Sequence, residues 1–248
     1  SLFATEEAFA EAGNPDRQRM GMVLATTKAN MSGICGEGRG LGSPMFLARQ
    51  LSNDLELGLP PSALSVACAS GVIGIATAAR RIATGECDLM LVLAVDVINE
   101  FIIKGFGGMG ALDPERCRPF DRERRGVSLG DGAAAIVLSA NERDSIGIRV
   151  AGYAGYEGLG IHLAAKRAVA HAGLTMADID LLHLHATGTR ANDKSEAIGL
   201  GNAWAEFADK TPPAFGSKSQ TGHTLGAAGG IESLLAIAGL ERQCVPKN

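Results

Sequence analysis

ALSVACASGVIGIATAARRIATGECDLMLVLAV, residues 63–95, decides the fold class. ALSVACA is a short apolar run with the look of a strand. SGVIGIATAARRIATG then places apolar residues at helical spacing (Val72, Ile75, Ala76, Ala79, Ile82), and Gly85 closes the helix. DLMLVLAVD returns as a buried strand. Strand, helix and strand in this order predict a crossover within a parallel sheet.

The same alternation continues on both sides. Residues 4–12 read as a helix that opens the chain without a capping residue, so further sequence is expected upstream. MGMVLAT (20–26) reads as a strand, followed by a loop carrying Gly33, Gly36, Gly38, Gly40 and Gly42, then a helix over 44–57 with Pro44 near its start. Further strands are predicted at 132–138, 147–156, 181–187 and 213–218, and helices at 162–173, 193–207 and 226–240. Alternating strands and helices make the chain an α/β protein, with no linker, low-complexity tract or residue-level repeat.

Composition narrows the function. The chain has 248 residues and a formal net charge of −4, which argues against a sequence-independent nucleic-acid binder. A hydrophobic share of 46% and a charged share of 20% are those of a globular chain able to bury one large core. Glycine is abundant (33 residues) and aromatics are few (8 Phe, 2 Tyr, 1 Trp). Such an interior suits close helix-on-sheet packing and backbone that approaches a ligand. Five cysteines without a CxxC pair read as reduced intracellular thiols. No secretory leader and no apolar run of about 18 residues appear, so a cytoplasmic protein without a membrane span is expected.

Three residues stand where chemistry gathers. Cys68 lies where a strand gives way to a helix, and unpaired amides there favour a thiolate. The same residue reads equally as a small buried hydrophobe. His185 and His223 follow strand ends in HLHATGT and GSKSQTGHTLGAAG. A single histidine in such a place is more often structural than functional, but ligands of open α/β sheets collect at the carboxyl ends of strands.

VACASG around Cys68, HATGTRANDKSE (185–196) and GSKSQTGHTLGAAGG (216–230) resemble the three active-site motifs of the β-ketoacyl-acyl-carrier-protein synthases. CRPFDRERRGVSLGDGAAAIVL (117–138) resembles the middle segment of that family, and the motifs come in the family's order over most of the chain. The resemblance implies a thiolase-like fold, two related βαβ halves (about 1–145 and 146–248) in alternating helix and sheet layers. It implies that Cys68 is the nucleophile, that its backbone amide forms half of an oxyanion hole, and that His185 and His223 stabilise the enolate of a malonyl thioester. Lys218 matches the motif lysine and Glu196 the acid expected to pair with it, while Asp193 matches a further motif acid. Thr187 and Thr189 match threonines that touch a pantetheine arm. The activity implied is decarboxylative condensation in the elongating Cys-His-His branch, in fatty-acid or polyketide synthesis. Its substrates ride on the phosphopantetheine of an acyl carrier protein, with no metal or organic cofactor, and its usual state is a homodimer. The alternative is a non-catalytic partner of the chain-length-factor type, which usually lacks the cysteine.

Departures from the family pattern are visible. Ala186 stands where a glycine is common, the stretch between Gly155 and His162 is short with a join from Glu157 to Gly160, and neither the opening strand and glycine loop nor the final Phe-containing segment is matched. These departures lead us to expect a longer parent protein. Gly105 to Gly110 fits G-x-G-x-x-G, but Pro114 and Pro119 follow where a dinucleotide site needs a helix, so a glycine corner is the better reading. His183, His185 and His223 as a zinc site lack a fourth ligand at suggestive spacing. Arg80, Arg81, Arg122, Arg124 and Arg125 read as surface charge or as a face for an acidic carrier protein. His162 and His171 read as surface residues.

Overall fold

The computed structural model describes residues 2–29, 42–141, 148–153 and 160–245. It divides into two compact units that interleave along the chain. The first comprises Ser1–Ile102, Asp131–Arg149 and Thr224–Ile231, and the second Ile103–Gly130, Val150–His223 and Glu232–Asn248. Gly33, Gly36, Gly38, Gly40 and the 157–159 part of the short join lie outside the described residues.

The first unit holds a four-stranded sheet. Strand β1 (Met20–Ala25) is central, with β2 (Ser62–Leu64) and β3 (Leu89–Asp96) parallel on its two sides. Strand β4 (Gly132–Ser139) runs antiparallel beside β3. The expected crossover is present: β2 passes through a helix over β1 and returns as β3. All six residues of β1 are buried, as a strand covered on both faces must be. Met20, Met22 and Leu24 point to one side with Leu91 and Leu93, against Phe9 of α1 (Leu2–Glu11) and Ala48 and Leu51 of α2 (Pro44–Asp54). Val23, Met90 and Val92 point to the other side, against α3 (Ser70–Ala83). Period-two alternation thus sorts one sheet between two helix layers within this unit.

Helix α3 keeps part of its expected face, with Ile75 and Ile82 packed against the cluster of Val23, Met90 and Val92. Val72 is 53% exposed, while Ser70, Gly71, Gly74 and Ala78 are buried. Gly74 allows the close approach: a Cβ there would touch Ala25 Cβ and Val92 Cγ1 at 3.3 Å, so the helix lies close on the sheet. Gly85, with φ +74°, ends the helix as read from sequence. The strand expected over 63–69 is shorter, because Ala67 turns into the left-handed region (φ +47°). The glycine series at 105–110 is no corner: Gly105, Gly107 and Gly108 lie inside helix α4 (Glu100–Gly108), and only Gly110 takes a positive φ of 63°.

The second unit packs α5 (Ile161–His171) against α6 (Arg190–Ala203) beside a parallel pair, β5 (Leu182–His183) and β6 (Ala214–Phe215). Met176, Ala203 and Trp204 form its core, and the Trp204 indole N–H donates to the Met176 carbonyl at 3.0 Å. The strand expected at 147–156 is absent from described residues 148–153. Gly152 instead abuts α5, where a Cβ would be 2.3 Å from the Ala168 carbonyl oxygen. Helix α8 (Ala228–Glu241) contains the predicted 226–240 helix apart from its first turn, which is 3-10. Among the described residues, no helix is long and apolar enough to cross a membrane.

Candidate active site

Cys68 occupies a tight turn between β2 and α3 in the first unit. Ser70 Oγ accepts the Val66 N–H at 2.9 Å and donates to the Ala67 carbonyl at 2.6 Å. The Ala69 and Ser70 amides close onto the Val66 and Ala67 carbonyls at 3.1 Å each. A non-glycine residue in the left-handed region carries about 1–2 kcal/mol of strain; here Ala67 bears it, one residue before the cysteine. The result is a half-buried Cys68 just before the first turn of α3. None of Cys68, Cys87, Cys117 and Cys244, the cysteines among the described residues, is in a disulfide.

That first turn rests directly on backbone. A Cβ at Gly71 would lie 2.7 Å from Gly230 N and 3.0 Å from Gly226 O, and one at Gly229 would lie 2.5 Å from Val72 N. The glycines of GAAGG are therefore a packing surface for the helix that follows Cys68.

In the second unit, His185 follows β5. Its backbone N–H and that of Ala186 donate to the two oxygens of Glu196 at 2.5 and 2.8 Å, so one carboxylate on α6 fixes the whole bend. His223 is fixed through its backbone too: its N–H donates to the Ser128 carbonyl at 2.6 Å, and its carbonyl accepts the Gly130 N–H at 3.2 Å. The preceding Gly222 has φ +70°, and a Cβ there would be 2.8 Å from Leu129. The two imidazoles meet edge to face, with ring centroids 5.3 Å apart.

Lys218, 1% exposed, opens the short helix α7 (Lys218–Thr221). Its ammonium lies 3.4 Å from His185 Nδ1 and forms an ion pair with Glu232 on α8. An ammonium only donates, so His185 Nδ1 accepts and the ring proton sits on Nε2. Burial, then the Lys218 charge, then a histidine neighbour hold His185 at about 4 and His223 at about 3. Both rings are neutral near pH 7. A pair of neutral imidazoles beside a fixed positive charge can each turn an N–H toward a developing oxyanion.

The partner expected for Lys218 was Glu196, and the structure corrects this. Glu196 is taken up by the two backbone N–H groups, and Glu232 holds the ammonium. Burial pushes the Glu232 carboxyl up while Lys218 pulls it down. One signal in the sequence marks Glu232, as the lone charge in AGGIESLLAIAGL, where Ser233 is the one other polar side chain. His183 joins this cluster. Its Nδ1 lies 3.1 Å from the Leu184 carbonyl and 3.9 Å from Glu232, its ring edge meets Phe215, and its buried Nε2 has no hydrogen-bond partner. Burial and Lys218 hold it at about 4.

Thr187 and Thr189 bond to each other through their hydroxyls at 2.9 Å. Asp193, 1% exposed in the first turn of α6, accepts Gly188 N–H at 3.1 Å and Phe120 N–H at 2.7 Å and pairs with Arg124 at 3.4 Å. It thereby ties the threonine loop to the middle segment. Buried Cys117 reinforces the tie by donating its thiol to the Thr187 carbonyl at 3.1 Å, and burial raises that thiol's pKa. Of the arginines, Arg124 and Arg125 are engaged with Asp193 and with Asp113 and Glu115, and Arg81 with Glu86. His171 is exposed and bonds the Tyr153 backbone.

Comparison with known proteins bears on the chain as a whole. Residues 1–144 match the family model of the β-ketoacyl synthase N-terminal domain, and 136–248 that of its C-terminal domain. The chain is 29% identical to 3-oxoacyl-[acyl-carrier-protein] synthase 2 of Vibrio cholerae, over 98% of this chain and 68% of that protein. It is 31% identical to Nodulation protein E of Rhizobium sp. strain N33, over 82% of this chain and 54% of that protein. The chain thus spans about half to two thirds of the length of these relatives. Among solved structures, a β-ketoacyl synthase from Burkholderia phymatum superposes with a TM-score of 0.86 at 25% identity, over 97% of this chain and 68% of that one. A ketosynthase solved in complex with its chain length factor, from Xenorhabdus doucetiae, gives 0.77 at 28% identity, over 96% and 64%.

Proposed function

The chain belongs to the β-ketoacyl synthase family, with its thiolase-like α/β fold, and we propose from this that it carries out decarboxylative condensation. Cys68 attacks an acyl thioester and expels the phosphopantetheine thiol, leaving the acyl group on its sulfur. A malonyl thioester then loses carbon dioxide, and the electron pair moves onto its carbonyl oxygen. The His185 Nε2–H and the His223 imidazole hold that enolate oxygen. The enolate carbon attacks the acyl carbonyl, a carbon–carbon bond forms, the carbon–sulfur bond breaks and Cys68 is regenerated. Thr187 and Thr189 bind the pantetheine arm, and the Cys68 amide supplies one oxyanion donor.

The observation that carries this reading is the pair of neutral imidazoles at 5.3 Å with Lys218 on His185 Nδ1. The reading needs no metal or organic cofactor, since decarboxylation supplies the carbanion and a buried ammonium repels a second cation. The proposed setting is a cytoplasmic homodimer served by an acyl carrier protein.

Acylation tests it. With a medium-chain acyl thioester, the wild-type chain gains one acyl mass and Cys68→Ala gains none. An adduct that survives in Cys68→Ala sinks the assignment. A wild-type chain that takes no adduct fits a non-catalytic partner of the chain-length-factor type instead.

A further inference from the structure

Asp96 ends β3 and is 4% exposed. Its Oδ1 accepts the Thr26 hydroxyl at 2.8 Å, and its carboxylate also takes the Thr27 N–H at 2.9 Å. Its Oδ2 accepts the Gly226 N–H at 2.6 Å. Three donors from two distant stretches of sequence converge on one buried carboxylate, and hydrogen bonds to an ionised acceptor are among the stronger ones. Both stretches lead to the Cys68 turn. The Thr27 carbonyl accepts the Ser65 hydroxyl at 2.7 Å, three residues before Cys68. The Gly226 carbonyl lies against Gly71, three residues after it.

We propose that Asp96 is a positioning residue for Cys68, holding the nucleophile's turn from its strand side through Thr27 and Ser65 and from its helix side through Gly226. Asp96 touches no reacting atom in this role. It fixes the turn whose geometry sets where the sulfur meets an acyl carbonyl. The assignment rests on the proposed function only in taking Cys68 as the group that is acylated.

Two variants test it. Asp96→Asn replaces one acceptor oxygen by a donor facing the donors now bound, and Ser65→Ala removes the strand-side branch alone. Displacement of a reacting group by about 1 Å lowers rates by up to about 100-fold. Cys68 acylation is expected to slow at least tenfold in Asp96→Asn and by a smaller factor in Ser65→Ala. Buried Cys87 and Cys117 serve as sentinels: they stay closed to a thiol reagent if the fold is intact. Iodoacetamide labelling of Cys68 relative to exposed Cys244 reads the same displacement without any acyl substrate, so it remains informative if wild type takes no adduct. The proposal is overturned if both variants match wild type within twofold in acylation and labelling, or if their losses track the opening of Cys87 and Cys117.

Discussion

The methyl group of Ala186 fills the space a side chain at Gly216 would need: a Cβ at 216 would lie 2.4 Å from that of Ala186. Ala186 holds its place at φ +46°, fully buried, three residues past the end of β5. Gly216→Ala is therefore expected to cost about 3 kcal/mol through overpacking. Ala186→Gly relieves about 1 kcal/mol of left-handed strain and opens the space. In the double variant the cost of Gly216→Ala should fall by at least half, a coupling that urea unfolding of the four proteins will measure.

Lys218→Met leaves Glu232 buried without its cation and is expected to destabilise the chain by about 3–5 kcal/mol. Adding Glu232→Gln should restore most of that stability. It should not restore malonyl decarboxylation, because His185 Nδ1 still lacks its donor. Recovery of both together would show that Lys218 acts only through folding.

Burial depresses His183 and His185 to about 4 and His223 to about 3, below the unfolded value. The unfolded chain then binds more protons below about pH 6.5, so stability is fully present above that pH and is lost as pH falls. Each histidine contributes a slope of about 1.4 kcal/mol per pH unit between about 6.5 and its folded value. His183→Phe should lower the total slope by about one histidine's worth, read from urea midpoints at pH 7, 6 and 5. An unchanged slope would mean that His183 is not buried neutral.

Asp193 is the bolt between residues 117–124 and the Thr187–Thr189 loop. Asp193→Ala should expose the bonds after Arg122, Arg124 and Arg125, raising trypsin cleavage there by about tenfold as local opening becomes easier. Cleavage at the wild-type rate would remove Asp193 from that role.

The crossover at 63–95 was legible in the sequence because strand length and glycine stops are local signals, whereas the strands read over 181–187 and 213–218 shrink to Leu182–His183 and Ala214–Phe215, leaving His185 beyond its strand and Lys218 at a helix start. The buried face of α3 was legible only in part: Ile75 and Ile82 pack on the sheet as read, but the most deeply buried positions are small residues. Periodicity counts apolar side chains, whereas Gly71 and Gly74 are buried because they have none, and Val72 is left in solvent. The glycines of α4 misled for a related reason: low helix propensity is a weak prior that surrounding structure overrides. The Lys218 partner was missed because Glu232 lies 14 residues away, across two turns and a helix start. No periodicity reports a pairing of that kind.

Around the first turn of α3, a Cβ at Gly71 or Gly229 would collide with facing backbone, one at Gly226 with Asp96 and Thr27, and one at Gly230 with Ala134. A library randomised at these four positions should return almost only glycine, however strongly it is selected for a new substrate. Selection has no handle on that joint, and adaptation to a different substrate has to be written in other walls.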